Sequence, residues 1–442
     1  MTELKRELTT FDLTMIAIGS TIGSGIFLTP SAVAQALPAP LWILLVWVFG
    51  GLMALAGALT FAELGAMMPR AGGVYVFLQE AYGSLAGFLY GWAYFMVVNT
   101  GGIAALSIAF ATYFCYFVPI GPGGVPMVAA AGIILVTAIN ILGVKAGGIF
   151  SDLFTLLKLA AIAGLIAVGL GWGSSSVTDF TTRIGTLPHG LGSGLTVAMV
   201  GVLWSYGGWQ HATFTAAEAR NPRHSVPRAL ILGSAAVMLI YLLTILAYMF
   251  LLSPAEMAAS QRLATDAIAV VLGPAGAAII AASIFISTFG TAGIYTLTAP
   301  RIYYAMAQDG IFFQRVARLH PKYRTPAFAI LLQSTWAIVL VLFWGTFENL
   351  ISYVVFTDWI FFGLAAGAVF VLRKKKPDAE RPYRTFGYPW TPLFFITLAG
   401  WFVFNTLFEK PAQAWAGLAF LSLGIPVYLL WNRKRSRARR DS

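Results

Sequence analysis

Two short stretches place residues suited to ligand chemistry inside otherwise apolar segments. "IGSTIGSGIF", residues 18–27, crowds Gly19, Gly23 and Gly25 together with Ser20, Thr21 and Ser24, and "WSYGGW", residues 204–209, sets Ser205, Gly207 and Gly208 in a second long apolar run. Each glycine weakens a helix by about 1 kcal/mol relative to alanine, and lipid offers a freed amide no new partner. Unwound backbone at membrane depth therefore persists only where it faces a cavity lined by protein. Around Ser24 and Gly25 the freed N–H groups, backed by the positive end of the following half-helix, suit a carboxylate. Carbonyl oxygens of the first half-helix and of the second break suit an ammonium. A carboxylate beside an ammonium describes an α-amino acid. Close helix packing through small residues is the competing reading of the first stretch, and a second break at a corresponding place weighs against it.

Two ionisable residues also lie within apolar runs. Lys158, in "SDLFTLLKLAAIAGL", sits two turns inside its segment, about 10 Å along a helix axis. A charge at that depth costs about 3 kcal/mol, which makes it a functional candidate; snorkelling to the surface is the alternative. Asp358, in "VVFTDWIFFGL", is the one acid well inside a late segment, where it suits a proton site, a contact for a cationic side chain, or a hydrated cavity wall. No metal-ligand spacing, nucleophile triad or phosphate loop is visible, so no cofactor, no metal and no catalysis are expected.

The elements that must position these residues follow from composition. Of 442 residues 59% are hydrophobic and 10% charged, more apolar surface than a water-soluble domain could hide, so a polytopic all-α membrane protein is expected. Twelve apolar runs are long enough to span, near 10–36, 41–65, 84–117, 125–142, 151–172, 191–219, 226–252, 274–300, 327–344, 347–372, 386–408 and 413–431. If the N-terminus is cytoplasmic, 24 of the 28 Lys and Arg fall on the inner side; Arg183, Arg262 and Lys410 fall outside, and Lys158 within a span. That bias predicts both termini in the cytoplasm and explains the net charge of +11 as topology and lipid contact, with no nucleic-acid partner. No cleavable signal peptide is expected, the single Cys115 excludes an internal disulfide, and the absence of an Asn-x-Ser/Thr sequon suits a prokaryotic inner membrane.

The two interrupted spans are the first and the sixth. Division into spans 1–5 and 6–10 makes each the first member of its half, and an odd number per half requires the second to enter from the opposite side. That is the arithmetic of an inverted repeat, here residues 1–172 and 191–372, followed by two further spans over 386–431 and a basic tail over 432–442, all within one transmembrane domain.

Longer motifs carry a family resemblance. "GSTIGSGIF", "FAELGAMMPRAGGVYVFLQEAYG", "LWSYGGW", "EARNPRHSVPRAL", "PRIYYAMAQDGIF" and "RPYRTFGYPWTP" occur in order along nearly the whole chain. The sequence resembles the amino acid–polyamine–organocation (APC) superfamily of transporters, and within it the L-amino-acid transporter (LAT-like) branch and its bacterial relatives. The resemblance implies a LeuT-type fold, with Thr21, Ser24 and Gly25 on the substrate carboxylate, and Trp204, Ser205 and Gly207 on the amine and one side of the side chain. Trp204 takes the place of an aromatic lid; an interfacial packing role is the alternative. It further implies that the Lys158 ammonium replaces a Na⁺ ion of sodium-coupled relatives, meeting carbonyls near Gly19 and hydroxyls such as Ser287 or Thr288. Tyr241 is a further candidate partner, or simply packs. The branch usually has a neutral residue at Asp358, a departure that bears on selectivity.

The implied activity is sodium-independent transport of neutral L-amino acids across the plasma membrane by alternating access. Exchange follows if the carrier reorients only when loaded. A proton-coupled symporter is the alternative, followed by a cationic amino acid or polyamine antiporter and a non-transporting nutrient sensor. Some relatives pair through a loop cysteine with a single-span glycoprotein; Cys115 precedes that loop, so no covalent partner is expected.

Overall fold

The computed structural model describes residues 4–121, 123–173, 190–344 and 346–438; Arg183 and the last residues of the basic tail, 439–442, lie outside the described residues. Among the described residues the chain is helical, with one isolated bridge between Leu8 and Ala219 and no strand. The first half holds α1 (Thr10–Thr21), α2 (Gly25–Ala36), α3 (Pro40–Met67), α4 (Val74–Tyr82), α5 (Ser84–Ala93), α6 (Asn99–Phe117), α7 (Gly124–Ile141) and α8 (Val144–Trp172). The second holds α9 (Gly190–Tyr206), α10 (His211–Phe214), α11 (Pro222–Leu251), α12 (Pro254–Ala259), α13 (Leu263–Thr298), α14 (Pro300–Gln308), α15 (Ala327–Trp344) and α16 (Phe347–Lys375), followed by α17 (Trp390–Glu409) and α18 (Pro411–Ala438).

Ten segments among the described residues are long and apolar enough to cross a membrane, and Gly190–Tyr206 and Ala327–Phe343 are shorter apolar helices. The molecule is a multi-pass membrane protein. Large apolar side chains such as Met127, Phe343 and Phe408 stand exposed on its rim, where lipid is the solvent. By contrast α1 and α2 are mostly buried, packed among α8, α9, α11 and α13.

Local chemistry explains where the first segment starts and breaks. Thr9 caps α1: its backbone N–H donates to Asp12 Oδ2 at 2.6 Å, and Asp12 N–H returns to Thr9 Oγ1 at 3.3 Å. The helix ends when Ile22, whose N–H still bonds Ile18 O, turns to an extended conformation. After Ile22, Gly23 and Ser24, α2 begins at Gly25, where a Cβ would lie 2.6 Å from the Ser205 Cα; only glycine allows that approach. The second break follows Tyr206, with turns over Gly207–Gln210 before the short α10.

Two of the expected spans differ in detail from the structure. The run expected from 274 is preceded by helical residues from Leu263, and Gly273 (φ 61°) before Pro274 bends the chain there. The run expected over 84–117 contains a π-helical turn, Tyr94–Val98, between α5 and α6.

Candidate functional site

The two breaks touch. The Ser20 hydroxyl lies 2.8 Å from Gly208 O and 2.5 Å from Ile16 O of its own helix, and the Tyr241 hydroxyl, from α11, lies 3.0 Å from both Thr21 O and Ser205 O. One buried phenol thus faces a carbonyl of each interrupted helix. The first α2 amides in the helical ladder belong to Phe27 and Leu28, both bonded to Ser24 O, so the amides of Ser24, Gly25 and Ile26 precede the ladder at the positive end of the helix.

Lys158, wholly buried on α8, reaches into the first break. Its Nζ donates to Gly19 O at 2.9 Å, to Ile22 O at 2.7 Å and to Thr291 Oγ1 at 2.6 Å, so its three protons have three acceptors. Snorkelling is excluded by this geometry. Ser287 and Thr288, expected as the α13 hydroxyls, are not the hydrogen-bond partners of the ammonium; Thr291 is. Ser287 lies one turn from Thr291 on the same face and reaches Gly23 O at 3.2 Å. Thr288 is rotated away and donates to Ile284 O within its own helix.

A narrow cavity of about 20 Å³, room for about one water molecule, lies beside the second break. Trp204, Gly207, Gly208 and Gln210 line one wall, Asp358 and Trp359 of α16 another, and Tyr94 and Tyr295 flank it from the π turn before α6 and from α13. Of the expected site residues, Trp204, Gly207 and Asp358 meet at this cavity. Thr21, Ser24, Gly25 and Ser205 do not line it. Their groups serve the junction between the breaks: Thr21 donates to Ala17 O, Ser205 Oγ to Gly201 O at 2.7 Å while 2.9 Å from Thr29 Oγ1, and Ser24 Oγ accepts from Trp204 Nε1 at 3.2 Å. Trp204 also packs edge-on against Phe347, ring centroids 6.0 Å apart.

Beside the cavity lie polar residues that nothing in the sequence pairs. The Gln210 Oε1 accepts from Gly208 N–H at 3.0 Å, while its Nε2 lies 3.5 Å from Asp358 Oδ2. His211 stacks on Tyr295 at 4.3 Å. Thr298 Oγ1 donates to Ile294 O, so it accepts from His211 Nδ1–H at 2.5 Å, and His211 Nε2 then accepts from the Tyr94 hydroxyl at 3.0 Å. The Tyr94 proton is thereby committed away from the cavity. A π turn often marks a functional position, and Tyr94 opens this one; the sequence carries no such mark.

On the side of the N-terminus the chain is strapped shut. Leu8 N–H donates to Glu218 O and Arg220 N–H to Leu8 O, each at 2.9 Å. Glu218, wholly buried, pairs with the equally buried Arg301, Nε to Oε1 at 2.7 Å. Glu63 is held by Arg373 at 2.8 Å and by the Thr385 N–H at 2.7 Å.

A multi-pass helical protein whose two interrupted helices meet beside a narrow cavity with one buried acid in its wall is built as a membrane carrier. Comparison with known proteins agrees: residues 8–430 match the amino acid permease family, and the chain belongs to it, within the APC superfamily. It is a transporter, not an enzyme. It is 31% identical to the Serine/threonine exchanger SteT of Bacillus subtilis (strain 168) over 437 residues, covering 98% of each chain. It is also 29% identical to the b(0,+)-type amino acid transporter 1 of Mus musculus, over 99% of this chain and 91% of that one. The Large neutral amino acids transporter small subunit 2 of Mus musculus is likewise 29% identical, over 98% of this chain and 82% of that one.

Proposed function

We propose that this protein exchanges neutral L-amino acids across the prokaryotic inner membrane, without sodium, by alternating access. Both termini are cytoplasmic in this reading, on the distribution of Lys and Arg. The fold is read as LeuT-type, twelve spans, with residues 1–172 and 191–372 as inverted repeats, 386–431 as two appended helices and 432–442 as a basic tail. The substrate carboxylate meets the α2 start at Ser24 and Gly25, near Thr21. The amine meets the unwound backbone after Trp204 and Ser205, at Gly207, and Trp204 covers the bound molecule. These groups line up once the cavity widens to admit substrate.

The observation that carries the reading is the Lys158 ammonium, held by Gly19 O, Ile22 O and Thr291 Oγ1. A fixed charge at the first break supplies what a coupling cation would otherwise supply, which favours sodium independence. Exchange is supported by the similarity to the serine/threonine exchanger of Bacillus subtilis. Asp358, buried at the cavity, favours proton-coupled symport as a second reading.

Purified protein in liposomes separates the two. Exchange requires amino acid inside the vesicle and is indifferent to sodium. Symport runs into empty vesicles on an inward proton gradient, and that result would replace the exchanger reading. Cys115 lies in the last turn of α6, and no covalent partner is required.

A further inference from the structure

The cavity carries one acid whose chemistry the exchange reading leaves unused. Asp358 is only 7% exposed, and its two carboxyl oxygens are treated differently. Oδ2 faces the Gln210 amide at 3.5 Å, whereas Oδ1 is buried with no hydrogen-bond partner. A buried polar atom left unpaired is costly, by more than its paired neighbour gains, so a group that supplies the missing bond is strongly favoured. Gln210 cannot turn to supply it, since its Oε1 is tied to Gly208 N–H at 3.0 Å. The Tyr94 hydroxyl cannot supply it either, because its proton points to His211. Among the described residues lining the cavity there is no basic side chain to pair with the acid.

We propose that Asp358 selects, among neutral amino acids, those whose side chain ends in a hydroxyl or a primary amide, the polar tip bonding to Oδ1. The proposal rests on the amino acid carrier reading above. Hydroxyl and amide tips both donate and accept, so either bonds the carboxyl group whichever protonation state it holds. An ammonium or guanidinium only donates, through three or five N–H groups, and a single unpartnered oxygen in a cavity otherwise walled by side chains such as Val354, Val355 and Trp359 leaves most of these unpaired. An aliphatic side chain of the same shape leaves Oδ1 as it is, buried and unpartnered. A site built around such a bond rejects the analogue that lacks it far more strongly than an apolar pocket rejects a misfit.

Threonine and valine, which share a shape and differ in one hydroxyl, are the test. Binding to purified protein and counterflow in proteoliposomes are measured for both, with lysine and arginine as competitors. Threonine is expected to bind at least about tenfold more tightly than valine. Asp358→Leu brings the ratio close to one, and Asp358→Asn, which keeps an acceptor at the site, retains part of it. Should the leucine variant fail to fold, the wild-type ratio and the asparagine variant still decide. Equal binding of threonine and valine by the wild type overturns the proposal, as does preference for lysine or arginine over threonine. Selective threonine binding without any counterflow supports the role of Asp358 and overturns the carrier reading, so the two failures are distinct.

Discussion

Ser20 and Gly208 bring the two interrupted helices into direct contact. The Ser20 hydroxyl lies 2.8 Å from Gly208 O, and the Ser20 carbonyl fills the place where a side chain on Gly208 would stand. Gly208 also holds φ +119°, which side-chain-bearing residues rarely adopt. Gly208→Ala is therefore expected to lower stability by about 1–3 kcal/mol from backbone strain and to abolish exchange. Gly164→Ala is the comparison: nothing lies within 4 Å of its would-be Cβ, so stability is unchanged or up by about 1 kcal/mol, with wild-type flux. Melting of the purified variants and proteoliposome exchange check both.

Removal of the Lys158 ammonium strips Gly19 O and Ile22 O of a charged donor and leaves Thr291 as their one remaining hydroxyl partner. Lys158→Met is expected to cut exchange at least tenfold while the protein still reaches the membrane, a loss of about 1.4 kcal/mol or more in the transport barrier. Thr291→Ser keeps the hydroxyl and most of the flux. Replacing sodium with choline leaves the wild type unaffected. Wild-type flux in Lys158→Met would refute the tether.

What the sequence makes visible shares one physical basis: a feature too costly in lipid to be accidental. Glycines massed at residues 19–25 and 207–208 marked the breaks, and a lysine inside an apolar run marked the ammonium site. What was hidden depends on rotation and packing. Whether Ser287, Thr288 or Thr291 meets Lys158 is set by the roll of α13 about its axis, which a uniformly apolar helix does not encode. The bend at Gly273 and the π turn from Tyr94 sit inside continuous apolar runs. The pairing of Gln210 with Asp358 joins residues 148 positions apart.

Glu218 and Arg301 form a wholly buried ion pair beneath the Leu8 strap. A buried pair adds little over an apolar substitute, but breaking it strands a charge and costs about 3–5 kcal/mol. Arg301→Met is expected to fall by that amount in stability, and adding Glu218→Gln should recover part of the loss. A double-mutant cycle on thermal unfolding measures the coupling. Additive effects would show that the pair does not hold the strap.

Glu80, on α4 outside the spanning segments, receives the Lys376 ammonium at 2.6 Å and also bonds Arg70. The Lys376 hydrogen bond, with that of Arg70, holds its carboxyl below the ordinary 4.5 against the opposing effect of burial. A carboxyl lowered by folding stabilises fully above its unfolded value and loses that contribution as pH falls through the folded value. Glu80→Gln should therefore cost at most about 1 kcal/mol near neutrality, and the gap from wild type should close in acid. Unfolding midpoints measured from pH 7 down to pH 3 test the sign.

Trp204 roofs the cavity with two separable contacts, its Nε1–H on Ser24 Oγ at 3.2 Å and its ring edge-on to Phe347. The hydrogen bond is long and joins neutral groups, so its net worth is about 1 kcal/mol. The ring contact adds about 0.5–1.5 kcal/mol beyond the area it buries. Trp204→Phe loses the first and keeps a ring over the cavity, and exchange should fall only about fivefold, in line with that energy. Trp204→Ala removes the cover altogether. A carrier that reorients only with substrate enclosed then leaks: labelled amino acid should leave loaded vesicles into medium without substrate, where the wild type retains it. Loss of all flux in Trp204→Ala with no such leak would make the residue a packing element, and Phe347→Ala, which removes the partner but not the roof, should then behave the same way.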